Sequence, residues 1–349
     1  MTSLLDAIRD VTTIDLDAID VDVVTKYAPF RDMTCNQFIV QSVLTMPEHA
    51  HVLAFAVDEA LKSAKEFGVD VTDSTSFEQL VVDIASVNVI KEIKPRLHPQ
   101  GLVLLQTCCS KLGDVNDIVK HCEQIVKTFE KYGISSKECC IKVPATVNGL
   151  KACKLLSQSG VNTLATTVFC TEQALAAAEA GCVAISPYLN ELDAHFNRKF
   201  YVDYANPAKE SPGVKLTHKI QRYYRTANIK TQVKAASFIA PIDAVAMAGV
   251  DAITVGPTIL EGLANTQAND QYSVILKDAI AASREQEEIP EQITWLDEQA
   301  NRLTAAMEDP QVKRLQGRAN EVFTNAEEQL RALAKVAILN KRQPHPESL

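Results

Sequence analysis

The chain has 349 residues, of which 46% are hydrophobic and 23% are charged, and its net charge is −9. This length and apolar content allow a large buried core, while the acidic balance argues against nucleic acid or an anionic membrane as a partner. The N-terminus has early acidic residues and no long apolar core, and no segment approaches the ~18 consecutive apolar residues of a membrane span. We therefore expect a cytoplasmic protein without a signal peptide.

The nine cysteines are scattered, with no Cys-x-x-Cys pair and no cysteine–histidine spacing typical of a metal site. A disulfide framework and a zinc site are both disfavoured by this pattern. Several cysteines lie within apolar runs, where cysteine behaves as a small hydrophobic residue. We expect neither a metal nor a cofactor.

Eight short apolar runs have the character of β-strands. They lie at 11–17, 33–40, 101–108, 139–145, 163–169, 182–188, 231–238 and 252–257. Longer amphipathic stretches separate them, including 47–67, 114–133, 149–160 and 171–181. Strands that alternate with helices predict βαβ units and a parallel sheet. Eight such runs predict an α/β fold with a single closed (β/α)₈ TIM barrel, in which active-site groups lie at the C-terminal ends of the strands.

The last part of the chain is rich in helical patterns. Residues 273–340 are predicted to contain the last barrel helix and additional C-terminal helices packed on the barrel. We therefore predict one barrel unit over residues 1–335, with no second domain. The polar end, residues 336–349, is expected to be a disordered tail.

One lysine interrupts a predicted strand. Lys142 lies in "CCIKVPA", between Ile141 and Val143. Alternate residues of a barrel strand point inward and outward, so Ile141 and Val143 on the outer side would place Lys142 inside. Burial disfavours the charged form of an amine, and a neutral amine can attack a ketone to form a Schiff base. The alternative is a lysine at a strand edge whose charged end reaches solvent.

The segment "IKVPATVNGLKA" resembles the Schiff-base lysine strand of transaldolases. Further segments resemble the same family in the same order: "TTIDLD", "DMTCNQFIV", "ATTVFCTEQALAAAEAG", "AISPYL" and "KAASFIAPIDAVAMAGVDAITVGPTILEGL". The resemblance covers roughly residues 10–335. It implies a class I aldolase-type enzyme in which Lys142 is the nucleophile.

The resemblance also implies roles for residues at other strand ends. Asp17 would move the proton of a substrate hydroxyl, Thr166 would act with the catalytic water, and Asn36 and Ser186 would contact the substrate. The residues alone leave other interpretations open. Asp17 is one of several acids in "DLDAIDVDV", Asn36 could cap a loop, and the β-branched Thr166 suits a strand.

Four positions depart from the family pattern. Gln106 stands where the family has a glutamate that helps to activate water, and a glutamine can hold that water but cannot take its proton. Leu164 replaces an asparagine. Glu191 and Ile239 replace two arginines that grip the substrate phosphate, and Glu191 is expected to repel it. Lys111, Arg198 and Lys199 could compensate, although no spacing requires it.

Three functions are compatible with this pattern. The first is a transaldolase-like enzyme acting through Lys142 on a small carbonyl substrate that lacks the usual sugar phosphate. The second is an ordinary transaldolase of the pentose phosphate pathway, and the third is a catalytically silent relative that serves as a binding or regulatory subunit. Gln106, Leu164, Glu191 and Ile239 favour the first over the second. Joint retention of Lys142, Asp17 and Thr166 favours an enzyme, and a homodimer stays open.

Overall fold

The computed structural model describes residues 2–288 and 294–342. These residues form eight β-strands, β1 to β8 in chain order. Their bounds are Thr13–Leu16, Met33–Cys35, Val103–Gln106, Cys139–Pro144, Thr163–Val168, Ala184–Pro187, Gln232–Ala235 and Ala252–Val255.

The described residues also form sixteen α-helices, α1 to α16. The first eight are Leu4–Arg9, Val21–Tyr27, Gln37–Leu44, Ala50–Phe67, Ser74–Lys91, Val115–Lys131, Val147–Gln158 and Thr171–Glu179. The other eight are Asp193–Phe196, Pro207–Glu210, Pro212–Thr226, Pro241–Val245, Pro257–Asn265, Asp270–Arg284, Asn301–Met307 and Pro310–Arg342. No helix within 2–288 or 294–342 is long and apolar enough to cross a membrane.

The eight strands close into a parallel barrel in sequence order, and β8 pairs with β1. The predicted (β/α)₈ barrel is therefore confirmed. All eight strands fall within the predicted runs, and each is shorter than predicted. The helices predicted at 47–67, 114–133, 149–160 and 171–181 correspond to α4, α6, α7 and α8.

The prediction for 33–40 is wrong beyond its first three residues. β2 ends at Cys35, and α3 begins at Gln37. The side chain of Asn36 causes the change, because its Oδ1 accepts the backbone N–H of Ile39 at 3.0 Å and caps the new helix. The apolar run continues because Val40, Val43 and Leu44 form the buried face of α3.

Strands β3 to β6 contribute two layers of side chains to the barrel interior. Each contributes one apolar side chain to a small cluster inside the barrel: Leu104, Cys140, Leu164 and Ala184. Two residues later on the same four strands come the predicted site residues Gln106, Lys142, Thr166 and Ser186. Because side chains on a strand alternate with a period of two, both sets point inward, with the site residues nearer the C-terminal ends.

A second lysine also points into the barrel. Lys234 of β7 forms ion pairs with Asp15 of β1 at 2.5 Å and with Asp32 at 2.7 Å. All three side chains are buried. Burial alone would lower the pKa of Lys234, but the combined attraction of the two carboxylates outweighs burial and raises that pKa. Lys234 is therefore a structural cation.

Helix α16 crosses the face where the strands end. It is joined to that face by Gln316, which bonds Thr167, and by Glu327, which accepts from the backbone N–H of Ser110 at 3.3 Å. The helix continues to Arg342, with Ile338 buried. The prediction of a disordered tail is thus wrong for 336–342, because the apolar side of this segment packs on the core. Residues 343–349 lie outside the described residues.

Candidate active site

A cavity of about 460 Å³ opens at the C-terminal end of the barrel. Three of the predicted site residues line it: Asp17, Asn36 and Lys142. The other three, Gln106, Thr166 and Ser186, are buried and do not line this cavity directly. The barrel therefore brings all six to one end, with three in the cavity wall and three immediately behind it.

Lys142 is 3% exposed and lies on β4, with Ile141 and Val143 pointing out to the helix layer. The inward orientation predicted from the alternation is confirmed by this arrangement. Among the described residues, none forms a salt bridge or hydrogen bond with the Lys142 side chain. Gln106 of β3 and Leu164 of β5 flank it in register. Lys142 thus lies between a glutamine and a leucine in the barrel wall, and it lines a cavity that a small molecule can enter.

Asp17 follows the end of β1, where its backbone N–H donates to the carbonyl of Val255 at 3.0 Å. Its Oδ1 accepts the hydroxyl proton of Thr34 at 2.6 Å, which leaves the second carboxylate oxygen available to the cavity. Asn36 uses its Oδ1 as the cap of α3 and also lines the cavity, so its amide NH₂ can face a ligand. The two interpretations of Asn36, cap and substrate contact, are geometrically compatible.

The orientation of the Gln106 amide follows from its neighbour Gln37. Nε2 of Gln37 donates to the backbone carbonyls of Gln106 at 3.0 Å and Thr107 at 2.9 Å, so Oε1 of Gln37 must point toward Gln106. Only a donor suits that oxygen, and Nε2 of Gln106 fills the role at 3.0 Å. Oε1 of Gln106 is then a buried acceptor with no partner among the described residues.

Thr166 lies next to an irregularity in β5. The register between β5 and β6 shifts between Ala165 and Val168, and Thr167 has a φ of 57°. A positive φ is strained for a β-branched residue, and such strain often accompanies functional sites. The hydroxyl of Thr167 donates to the carbonyl of Thr166 at 2.6 Å and accepts from Nε2 of Gln316 at 2.9 Å. Helix α16 therefore helps to hold the backbone that orients Thr166.

Tyr188 connects Thr166 to the cavity. The Thr166 hydroxyl donates to the phenolic oxygen of Tyr188 at 3.4 Å, and Tyr188 itself lines the cavity. Burial raises the pKa of Tyr188, so the phenol keeps its proton at neutral pH. The hydroxyl of Tyr188 can donate to a water or substrate oxygen. The sequence contained this residue in the run 182–188 but gave no signal for its role.

The positions of the two replaced arginines differ in the structure. Ile239 lines the cavity, as a residue in the place of a ligand contact should. Glu191 does not line it, and its carboxylate forms an ion pair with Arg314 of α16. The expected repulsion of phosphate by Glu191 is therefore wrong, since that charge is paired outside the cavity. The loss of a cation at both positions remains.

The three cations considered as replacements lie elsewhere. Arg198 pairs with Asp203 at 2.8 Å, and Lys199 lies over the ring of Phe200. Lys111 lines a different crevice. Within the described part of the chain, no cluster of three or more His, Cys, Asp or Glu residues is placed to hold a metal ion.

Further side chains around the cavity were not identified from the sequence. Ser237 has a φ of 68°, and its hydroxyl donates to the carbonyl of Asn190 at 2.8 Å. His195 approaches that hydroxyl with Nε2 at 3.0 Å. Thr254 of β8 lines the cavity and has a hydroxyl without a partner among the described residues. Such polar groups at strand ends can be found from sequence only after the strand boundaries are known.

The geometry is that of a (β/α)₈ barrel enzyme with a lysine in its cavity, and the comparisons with known proteins agree. Residues 13–334 match the family described as transaldolase/fructose-6-phosphate aldolase, so the chain belongs to that family of aldolase- and transferase-type enzymes. The resemblance seen in the sequence is thereby confirmed.

Curated relatives give the same assignment. The chain is 30% identical over 266 residues to a transaldolase of Shewanella loihica, covering 76% of this chain and 80% of the relative. It is 32% identical over 269 residues to a transaldolase of Histophilus somni, covering 75% and 80%. Among solved structures, the flavin-binding domain of baker's yeast flavocytochrome b2 matches with a TM-score of 0.32 at 12% identity, over 58% of this chain and 53% of that one. A likeness at that level supports no conclusion.

Proposed function

We propose that this chain makes or breaks a carbon–carbon bond through a Schiff base on Lys142, with a carbonyl substrate that lacks the usual sugar phosphate. The contrast between the two lysines inside the barrel carries the proposal. Lys234 is held between two carboxylates, whereas Lys142 lines the cavity without an ion-pair partner among the described residues. An amine that is not held in an ion pair is free to approach a carbonyl carbon, and lysine amines form Schiff bases with carbonyl substrates.

The proposed chemistry assigns each bond and proton. The Lys142 amine adds to the substrate carbonyl carbon, and one amine proton moves to the carbonyl oxygen. The resulting hydroxyl takes up a second proton from solvent and leaves as water, which gives an iminium. In the cleavage direction, a substrate hydroxyl β to the iminium gives its proton to Asp17 and becomes the carbonyl of the departing aldehyde. The electron pair of the broken carbon–carbon bond moves into the iminium to form an enamine. The reverse steps form the bond. Asp17 suits this role because one carboxylate oxygen is held by Thr34 while the other is available.

The groups behind Lys142 support a weaker water step. Gln106 pairs in register with Lys142 and has an acceptor oxygen without a partner among the described residues, and Thr166 and Tyr188 offer hydroxyl groups. None of these is a general base at neutral pH, and general-base assistance is typically worth ~10²–10⁴ in rate. Because hydrolysis of the iminium is the reverse of its formation, we expect both steps to be slower than with a carboxylate at position 106.

The proposal that the substrate lacks a phosphate is based on the residues that line the cavity. Strong phosphate binding uses charge-assisted hydrogen bonds, often from arginine. Among the described residues that line the cavity, Lys142 is the only lysine or arginine, and its amine is committed to the carbonyl. A substrate with a distal phosphate would thus leave that group without a cationic partner.

Reductive trapping with borohydride tests the proposal. The protein is incubated with a panel of ketones and ketoses, phosphorylated and not, then reduced and analysed by intact mass and peptide mapping. We expect an adduct on the peptide that contains Lys142 for at least some unphosphorylated carbonyl compounds. Lys142→Arg should give no adduct, because a guanidinium stays protonated and cannot attack.

Two outcomes would contradict the proposal in different ways. Robust turnover of fructose 6-phosphate with erythrose 4-phosphate would favour an ordinary transaldolase instead. No adduct with any carbonyl compound would favour the catalytically silent relative. An adduct on the peptide with Lys234 would show that the assignment of the nucleophile is wrong.

A further inference from the structure

We propose that the outer half of this cavity binds an apolar chain, so that the substrate is an aldehyde or ketone with an alkyl or aryl substituent. This inference rests on the proposed function, because it uses Lys142 as the reactive end of the cavity. It goes further by naming what occupies the place of the sugar phosphate.

The mouth of the cavity is formed by two aromatic rings in contact. Phe38 of α3 and Phe196 of α9 meet edge to face, with ring centroids 5.4 Å apart and planes at 75°. They are 42% and 53% exposed, although large aromatic side chains usually bury most of their surface. An exposed aromatic pair at the entrance of a reactive cavity is typical of a site that contacts a ligand.

Further apolar side chains line the same cavity. Leu192, Ile239, Val322 and Phe323 line the cavity from three separate elements of the chain. Phe323 is buried against Cys109 and Ala319 and is therefore a fixed part of the wall.

The cavity also has polar lining residues: Asp17, Asn36, Tyr188, His195, Ser237, Thr254 and Thr258. Asp17, Asn36 and Thr254 lie at the C-terminal ends of the strands, as Lys142 does. His195 and Ser237 bond each other, and Tyr188 bonds Thr166. The cavity thus has a polar inner end and an apolar outer end.

The lining residues disfavour a phosphate group or a polyhydroxylated chain at the outer end. A phosphate at the outer end would find no lysine or arginine other than Lys142 among the described lining residues. A polyhydroxylated chain would need hydrogen-bond partners, and Leu192, Ile239, Val322 and Phe323 provide none. Unpaired polar groups held against apolar walls are costly. An apolar chain loses water contact there without such a cost.

The size of the cavity limits the substrate. A volume of about 460 Å³ lies at the lower end of the range for small-molecule sites, ~300–1,000 Å³. Burying one methylene group strengthens binding roughly fourfold when the whole group leaves water. Because the cavity is open at the mouth, we expect about threefold for each of the first few methylenes, and no further gain once the chain extends past Phe196.

Binding of unreactive alcohols tests the apolar half independently of the lysine. A series of 2-alkanols from 2-butanol to 2-octanol is titrated and followed by ligand-detected NMR, with glycerol 3-phosphate as the charged comparison. We expect Kd to fall about threefold per methylene and glycerol 3-phosphate to bind more weakly than 2-hexanol. Equal Kd values along the series, or tighter binding of the phosphate, would overturn the inference.

Two variants test whether the alkyl chain of the alcohol binds in the outer half of the cavity. Phe196→Ala should reduce the gain per methylene to less than twofold, because it opens the outer half to water. Phe200→Ala is the matched control: Phe200 is 40% exposed and lies nearby but does not line this cavity. It should keep the wild-type slope. If both variants keep that slope, the chain binds elsewhere and the assignment fails.

Trapping on Lys142 separates this inference from the proposed function. With a series of alkanals as the carbonyl compounds, the yield of the borohydride-reduced adduct on Lys142 should rise with chain length in parallel with the alcohol affinities. An adduct on Lys142 without any dependence on chain length would retain the Schiff base and refute the apolar site. Alcohol binding that depends on chain length, without any adduct on Lys142, would retain the apolar site and refute the Schiff base.

Discussion

Lys142 and Lys234 show that neighbours decide what a lysine inside a barrel can do. Both alternate with outward apolar residues, Ile141 and Val143 in one case and Val233 and Ala235 in the other. Sequence periodicity therefore predicts the inward direction of each but not its charge. The distinction comes from Asp15 and Asp32, which lie 219 and 202 residues away from Lys234 in the chain. Pairing over such separations is visible only in the folded barrel.

The two lysines should differ in their effect on stability. Lys234→Met leaves Asp15 and Asp32 buried without a cation, and removing one partner of a buried ion pair costs ~3–5 kcal/mol. Lys142→Met removes an amine that has no ion-pair partner among the described residues, so the free energy of unfolding should be unchanged or higher. Urea denaturation followed by circular dichroism measures both. A Lys142→Met variant that is as unstable as Lys234→Met would contradict this assignment.

The contact between Gln106 and Gln37 predicts the outcome of restoring a carboxylate. In Gln106→Glu, an oxygen would replace the nitrogen that donates to Oε1 of Gln37 at 3.0 Å. Two acceptors would face each other, at a cost of ~1–3 kcal/mol. In a Lys142→Met background, where no amine flanks position 106, the charged carboxylate should therefore be disfavoured in the folded protein. The loss of stability should be small at pH 4 and grow as the pH rises to 8.

Denaturation of Gln106→Glu across this pH range tests the expectation. Gln106→Met serves as the control, because it also loses the hydrogen bond but has no titratable group. The difference between the two variants should widen with rising pH. If Gln106→Glu is as stable as its Lys142→Met parent at pH 8, the orientation derived for the Gln37 amide is wrong.

At the scale of elements, helices with one apolar face were predictable and those buried on several sides were not. The amphipathic pattern of 114–133 predicts α6 well. Residues 74–91 received no assignment, yet they form α5, which packs against α4, α6 and α16. Burial on several sides removes the amphipathic period, and the β-branched residues in "LVVDIASVNVI" have strand propensity. Tertiary contacts, rather than local propensity, therefore determine that these residues form a helix.

Helix α16 belongs to the site as well as to the barrel's outer layer. Its Gln316 donates to Thr167, next to Thr166, and also contacts Gln173 and Asn320. Gln316→Ala should release the strained backbone at Thr167 and shift the Thr166 hydroxyl. A displacement of about 1 Å in a catalytic group can reduce the rate by ~10- to 100-fold. We expect a lower kcat with KM nearly unchanged, and adduct formation on Lys142 retained.

The control for this prediction lies on the same helix. Asn320→Ala removes one hydrogen bond to Gln316 but none to Thr167. It should keep more than half of the wild-type kcat. Gln316→Glu retains an acceptor for Gln173 but loses the donor to Thr167, so it should behave like Gln316→Ala. A wild-type kcat in all three variants would show that α16 covers the site without positioning Thr166.

At the scale of the whole molecule, acid stability depends on a histidine far from the cavity. His218 of α11 is buried, and neither ring nitrogen makes a well-formed hydrogen bond to a described residue. Burial, followed by repulsion from Arg222, lowers the pKa of His218 to about 4, and a contact with the backbone of Ala246 offsets this only in part. The folded protein therefore keeps this imidazole neutral at pH values where the unfolded chain binds a proton.

The sign of the pH effect follows from linkage. Above the unfolded pKa of about 6.5, His218 is neutral in both states and has no effect on the pH dependence of stability. As the pH falls from 6.5 toward 4, only the unfolded state gains the proton, so the free energy of unfolding decreases by about 3 kcal/mol. Below pH 4 both states are protonated and the effect levels off.

His218→Leu should remove this loss, because leucine fills the buried position without a titratable group. The free energy of unfolding of the wild type minus that of His218→Leu should become more negative by about 3 kcal/mol between pH 7 and pH 4. Urea denaturation at half-unit pH steps measures the difference and cancels the carboxylates that titrate in the same range. The exposed His51→Gln variant should follow the wild-type curve throughout. A constant difference between wild type and His218→Leu would mean that His218 protonates equally well in the folded and unfolded chains, and its burial could not then be a source of acid sensitivity.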